Sequence, residues 1–240
     1  MDFRVSLVQT GRDGLAGFGK IADTIVDTTE LILMPEFWTA SPDPAVSRAA
    51  LELVSDFCGS SGSFAVTGGM PWDADGRLYV RTWMVDDAGR PFAHYDKTHI
   101  PSRDEGNGVY SPGDGARIFD VGGIACAAFS GYDLLFPEFC RMASLAGAMI
   151  FFVSADWPRE YASLWEKSVS YTALVNQCFV IACNGTGNSI AVSPEGTTAG
   201  RMSGDDGVLS LSLNMSRIYE CRKKLPLERD RRGEIYALFR

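Results

Sequence analysis

Short apolar runs alternate with amphipathic stretches along the whole chain, and no other feature restricts its fold so strongly. FRVSLVQ (3–9) reads as a strand, a glycine-rich turn leads into a helical pattern around 14–28, and LILMPEF (31–37) is a buried strand ending at Pro35-Glu36. The first unit is therefore β-α-β. A helix over 45–59 and a strand over SFAVTGGM (63–70) follow. RLYVRTWMVDD and RPFAHYDKTHI then flank Asp87-Ala88-Gly89, where glycine can take a positive φ and close a hairpin.

The rest of the chain continues in this manner. RDEGNGVYSPGDG (103–115) is a turn-rich loop, ARIFDVGGIACAAF (116–129) holds two short strands, and an elbow at 130–133 feeds a helix over 137–147. Strand AMIFFVSA, a helix over 160–176, strand CFVIACN, a hairpin around SPEGTTAG, strand GVLSLSLN and a polar tail complete the pattern. No linker, low-complexity segment or strict repeat interrupts it, so residues 1–240 read as one domain. Helices between strands, with hairpins added, predict a layered α/β sandwich rather than a barrel.

Composition excludes several kinds of partner. A net charge of −8 argues against nucleic acid, and the one basic run, RKKLPLERDRR from Arg222, is interleaved with acids. The six cysteines are scattered and four lie in apolar runs, as buried thiols in a reducing compartment do. No CxxC or HxxxH pair exists, and His94 and His99 have no cysteine nearby, so neither a metal nor another cofactor is expected. MDFRVSLVQT enters a strand directly, without a signal-peptide pattern, and no apolar run approaches the roughly 20 residues that cross a bilayer. The expectation is a soluble cytoplasmic protein with no membrane partner.

Four motifs, LMPEFW, HYDKTHIP, GYDLLFPE and SADWP…LWEKSVSYTALVNQCFVIACNGTG, fall in one order and spacing. Together they resemble the nitrilase, or carbon-nitrogen hydrolase, superfamily, and most of all its omega-amidase-like branch. The likeness runs from FRVSLVQ to GVLSLSLNMSRIYECRKKLP. It implies a four-layer αββα sandwich with a Glu-Lys-Cys triad that splits small amides or nitriles through a thioester. Carried over, Glu36 is the general base, Lys97 stabilises the oxyanion, Glu105 is the second glutamate that orients the site, and Tyr132 and Trp157 line the oxyanion and binding region. Those residue types suit the chemistry: a carboxylate at the end of a buried strand can take a thiol proton, and an ammonium lowers the energy of a developing oxyanion in a water-poor cleft.

The nucleophile of that triad is missing. The resembled elbow reads Cys-Tyr-Asp-Leu-Arg-Phe-Pro-Glu, whereas here Gly131 stands at the cysteine position and Leu135 at the arginine. Arg-Ala-x-Glu-Asn in the later helix has become Thr172-Ala173-Leu174-Val175-Asn176. Cys140 lies about 13 Å further on along a helix and Cys126 about 16 Å back along a strand, so neither reaches. Strand alternation is expected to point Ser130 to the opposite face, and a hydroxyl needs a stronger base than a thiol does.

The expectation is an amidase-related protein that is catalytically inactive. It would bind a small amide, carboxylate or ammonium compound, or serve in an assembly, as a homodimer or higher homo-oligomer paired through the elbow helix and the helix bearing Trp165. The alternative is an active omega-amidase-type hydrolase, of which this chain is a Cys-to-Gly variant or which uses Ser130 or a water. Ligand specificity is expected in loops 40–47 and 101–114.

Overall fold

A computed structural model describes residues 2–11, 13–25, 28–102 and 108–236. In strand β1 (Asp2–Thr10), Phe3, Val5 and Leu7 point into one apolar core while Val8 points into another. Strand β2 (Leu31–Leu33) divides likewise, with Leu31 and Leu33 on one side and Ile32 on the other. Apolar side chains at successive positions are thus covered on both faces, as parallel strands require.

Helices α1 (Gly14–Ile21) and α2 (Pro44–Ser61) supply the outer cover of the first sheet. Asp43 caps α2 by accepting from the Ala45 N–H at 2.9 Å, Pro44 occupies its first turn, and Gly62 at φ 70° ends it. The sheet's remaining strands are β3 (Phe64–Val66), β4 (Met70–Ala74), β5 (Arg77–Val85), β6 (Pro91–Asp96) and, much later, β13 (Asp206–Asn214). Their order is β13-β1-β2-β3-β5-β4, with β6 also paired to β5.

The second sheet has the order β12-β11-β10-β9-β8-β7. It is built from β7 (Arg117–Val121), β8 (Ile124–Ser130), β9 (Ile150–Ala155), β10 (Phe179–Asn184), β11 (Ile190–Val192) and β12 (Thr198–Arg201). Helices α3 (Pro137–Leu145) and α4 (Ala162–Asn176) cover its outer face. The sheets face each other through β1, β2 and β10, giving four layers, α-β-β-α. The larger core fills the space between the sheets and continues through the second sheet to α3 and α4.

Several elements differ from the sequence expectation. The helix expected around 14–28 ends at Ile21, and a 3-10 turn over Ala22–Thr24 follows; the Thr24 hydroxyl donates to the Ile21 carbonyl at 2.6 Å and Ile25 is extended. Strand 31–37 stops at Leu33, because Pro35 has no N–H for the ladder and Phe37 turns at φ 55°. Strand 63–70 is two strands broken at Gly68, φ 74°. The hairpin at Asp87-Ala88-Gly89 forms, with Gly89 at φ 78° donating to the Asp86 carbonyl. The polar tail contains helix α5 (Ser216–Lys224) and a short α6 (Gly233–Tyr236). Helix α5 is tied down by Gln177, whose Nε2 donates to the Leu225 carbonyl at 2.6 Å. Among the described residues no helix is long and apolar enough to cross a membrane.

Candidate active site

The ends of β2, β6, β8 and β9 meet at one edge of the sandwich, and each delivers one element of the site. Glu36 follows β2 on a tight turn whose backbone is tied to both sheets: the Glu36 N–H donates to the Ala155 carbonyl at 3.2 Å and the Phe37 N–H to the Gly69 carbonyl at 2.7 Å. The Gly68-Gly69 pair permits this approach. A Cβ on Gly68 would lie 2.0 Å from the Pro35 carbonyl oxygen, and one on Gly69 would lie 3.0 Å from Glu36 Cγ.

Lys97 immediately follows β6. Its Nζ lies 3.2 Å from both carboxylate oxygens of Glu36, and both side chains are buried. Burial pushes the Glu36 carboxyl above its ordinary range, and the Lys97 charge and the Ser130 hydrogen bond oppose that rise without cancelling it. A carboxyl so placed binds a proton more readily than one in water, which suits a general base.

The elbow is organised by Asp133, a residue that sequence reasoning passed over. Fully buried, it accepts from the Ser130 N–H at 2.8 Å, the Tyr95 hydroxyl, the His99 N–H at 3.3 Å and His99 Nδ1 at 2.7 Å. His99 in turn stacks on Phe136 at 3.8 Å between ring centroids. Asp133 therefore clamps the segment that carries Lys97 to the elbow that carries Gly131. Burial, followed by the repulsion of Asp133, raises the Tyr95 hydroxyl well above the normal tyrosine range, so it stays protonated as a donor. The signal was an acid inside the otherwise apolar GYDLLF, a position that needs several donors if it is to be buried.

Ser130 corrects one expectation. Its hydroxyl donates to Glu36 Oε1 at 3.0 Å, so it faces the site rather than the opposite side. Strand alternation does not extend past the end of β8: a 3-10 turn over Gly131–Leu135 begins at the next residue, and the side-chain directions of a strand cease there. Ser130 is nevertheless only 3% exposed and is not among the residues that line the cavity.

A cavity of about 440 Å³ opens over the ion pair. Glu36, Lys97, Tyr132, Asp156 and Trp157 are in its wall, which brings together four of the residues singled out in the sequence. Glu105 lies outside the described residues. Of the loops 40–47 and 101–114, Pro101 is the one described residue in the wall. Trp157 is fixed through its backbone by Asn184, whose Oδ1 accepts the Trp157 N–H at 2.6 Å and whose Nδ2 donates to the Trp157 carbonyl at 3.2 Å.

Gly131 sits beneath this ring. A Cβ there would stand 2.7 Å from Ala155 Cβ and 2.9 Å from Trp157 Nε1, so neighbouring atoms fill the place of a side chain. None of the six cysteines is in the cavity wall, and five of them are buried. Burial pushes the Cys58 and Cys183 thiols up to about 12, and those of Cys126, Cys140 and Cys178 further. Among the described residues no group of three or more His, Cys, Asp or Glu could hold a metal ion.

The carbon-nitrogen hydrolase profile matches residues 5–223, almost the whole chain. The protein belongs to the carbon-nitrogen hydrolase family. Among curated members, a 2-oxoglutaramate amidase of Bacillus subtilis (strain 168) is 25% identical over 224 residues, covering 86% of each chain. Among solved members, Saccharomyces cerevisiae Nit3, of branch 10 of the nitrilase superfamily, superposes with a TM-score of 0.86 at 20% identity, over 96% of this chain and 97% of that one. A cysteine-to-alanine mutant of the Nesterenkonia AN1 amidase in complex with butyramide gives 0.84 at 20% identity, over 99% and 97%. The family's α/β architecture of two mixed sheets is the one observed here.

Proposed function

We propose that this member of the family binds a small primary amide over the Glu36–Lys97 pair without hydrolysing it. One observation carries the reading: position 131, next in the chain to the Ser130 that bonds Glu36, has no side chain, and Ala155 and Trp157 fill the space one would need. The head group of an amide complements what remains. Lys97 can donate to the carbonyl oxygen and Glu36 can accept from the NH₂, whereas a carboxylate in the same place would meet the Glu36 charge. The amide chemistry of the relatives points the same way, the Nesterenkonia mutant holding butyramide and the Bacillus subtilis enzyme being named for 2-oxoglutaramate.

Thermal unfolding with butyramide as probe, alongside an ammonia-release assay, tests this. At 100 times the dissociation constant the ligand should stabilise the fold by about 2.7 kcal/mol, with no ammonia formed. Turnover that disappears in Glu36→Gln would overturn the reading.

A second reading, hydrolysis through Ser130, is favoured by its 3.0 Å bond to Glu36, the separation of a nucleophile from its base. The burial of Ser130, which does not line the cavity, opposes it. Ammonia release abolished by Ser130→Ala would establish it.

Pairing with a second copy through α3 and α4 belongs to the same proposal. Met142, Leu145, Leu164, Tyr171 and Leu174 on those helices are exposed apolar side chains that a second copy would cover. Sedimentation at micromolar concentration should show at least a dimer.

A further inference from the structure

The acyl tail of any amide held over Glu36 and Lys97 must lie against the remaining wall of the cavity. That wall is contributed by Phe37, Pro101, Leu135, Pro158, Tyr161 and Leu164, with Tyr132 and Trp157 beside the ion pair. Among the described residues in the wall, Lys97 is the one cation, and both oxygens of Glu36 already engage it. The remaining ionisable group of fixed charge sign, Asp156, is an acid.

We propose that the cavity selects amides with an uncharged apolar tail and rejects the monoamides of dicarboxylic acids, with Leu135, Tyr161 and Leu164 setting the selectivity. This rests on the amide-binding reading above. An apolar tail loses water on entering and gains contact with aromatic and aliphatic carbon, the usual basis of small-molecule affinity. A tail carboxylate would give up its hydration and find, among the described residues of the wall, no cation to replace it, which is costly for an ionised group. The contrast with the Bacillus subtilis relative is chemical: 2-oxoglutaramate ends in a carboxylate. Leu135 stands where the resembled elbow has an arginine, so the substitution that removes a positive charge also adds apolar surface to the wall.

The matched probes are pentanamide and glutaramate, five-carbon amides that differ in carrying a methyl or a carboxylate at the far end. Isothermal titration of the full chain should show pentanamide binding at least about 100-fold more tightly. Leu135→Arg should shrink that ratio at least about tenfold by improving glutaramate and weakening pentanamide. Leu135 and Tyr161 are 38% and 49% exposed, so a charge at either position reaches water and the fold should tolerate it; Tyr161→Lys is the second variant. Glutaramate binding within about threefold of pentanamide or tighter would overturn the selectivity and leave amide binding standing, as would a ratio unmoved by both variants. Binding of neither probe would overturn both. Ammonia measured in the same samples scores turnover separately, since hydrolysis with the expected preference would sink only the non-hydrolytic reading and support this one.

Discussion

Gly131→Cys restores the residue that the resembled elbow carries, and the structure shows what resists it. The new Cβ would stand 2.7 Å from Ala155 Cβ, 2.9 Å from Trp157 Nε1 and 3.0 Å from Trp157 Cδ1. Ala155 cannot retreat: it is fully buried, paired in parallel with Asn184, and its carbonyl accepts from the Glu36 and Gly185 N–H groups. Trp157 can rotate its ring, but its backbone is held by Asn184. Gly131 is not among the residues at positive φ, so the cost is overpacking and not backbone strain. Overpacking of this order costs about 1–3 kcal/mol, or roughly 2–12 °C in Tm for a chain of this length.

Calorimetric unfolding reads that loss, and Ala155→Gly in the same background should recover part of it, with a coupling of about 0.5–3 kcal/mol. Iodoacetamide reads the chemistry. A thiol whose pKa is about 12, as for Cys58 and Cys183, holds roughly one part in 10⁴ as thiolate at pH 8. A cysteine against Trp157, which shares the cavity wall with Lys97, should be alkylated well before them. Turnover should remain poor, because Trp157 has to be displaced before an amide can reach the sulfur and small errors in placing a nucleophile are expensive. An unchanged Tm together with turnover on the order of 10 per second would refute this, and would mean that nothing in the site had closed over the missing side chain.

Three further outcomes follow from the same geometry. Lys97→Met leaves Glu36 buried without its counter-charge and should destabilise the fold by about 3–5 kcal/mol in urea unfolding, while adding Glu36→Gln should return much of it. Asp133→Asn weakens acceptance from four donors and should cost about 3 kcal/mol, with proteolysis between residues 96 and 102 accelerated as the clamp loosens. Tyr95 has a raised folded pKa, so its contribution is complete below the unfolded tyrosine value of about 10 and is lost as pH rises toward the higher folded value. Stability measured above pH 10 should therefore fall more steeply in the wild type than in Tyr95→Phe.

The layered α/β fold and the choice of Glu36 and Lys97 as site candidates were legible in the sequence, for different reasons. Apolar periodicity is a local property: Val5, Leu7 and Leu31–Leu33 register covered faces whatever covers them. Glu36 and Lys97 were found through resemblance of their motifs, and 61 residues separate two groups that end 3.2 Å apart. Where local rules were applied across an element's end, they failed. Alternation placed Ser130 away from the site, because the chain leaves strand geometry at the next residue. The run 63–70 read as one strand, because nothing local shows that Gly68 must pass within contact of the Pro35 carbonyl. The roles of Asp133 and Asn184 were out of reach for a similar reason. A buried carboxylate or amide is accounted for by its donors and acceptors, and those at Tyr95, His99 and Trp157 come from segments that only tertiary packing brings together. The sequence alone determined that position 131 has no reactive side chain. That Ala155 and Trp157 occupy the space left by it was decided by how the sheet edges meet, since close packing leaves no void where neighbours can reach.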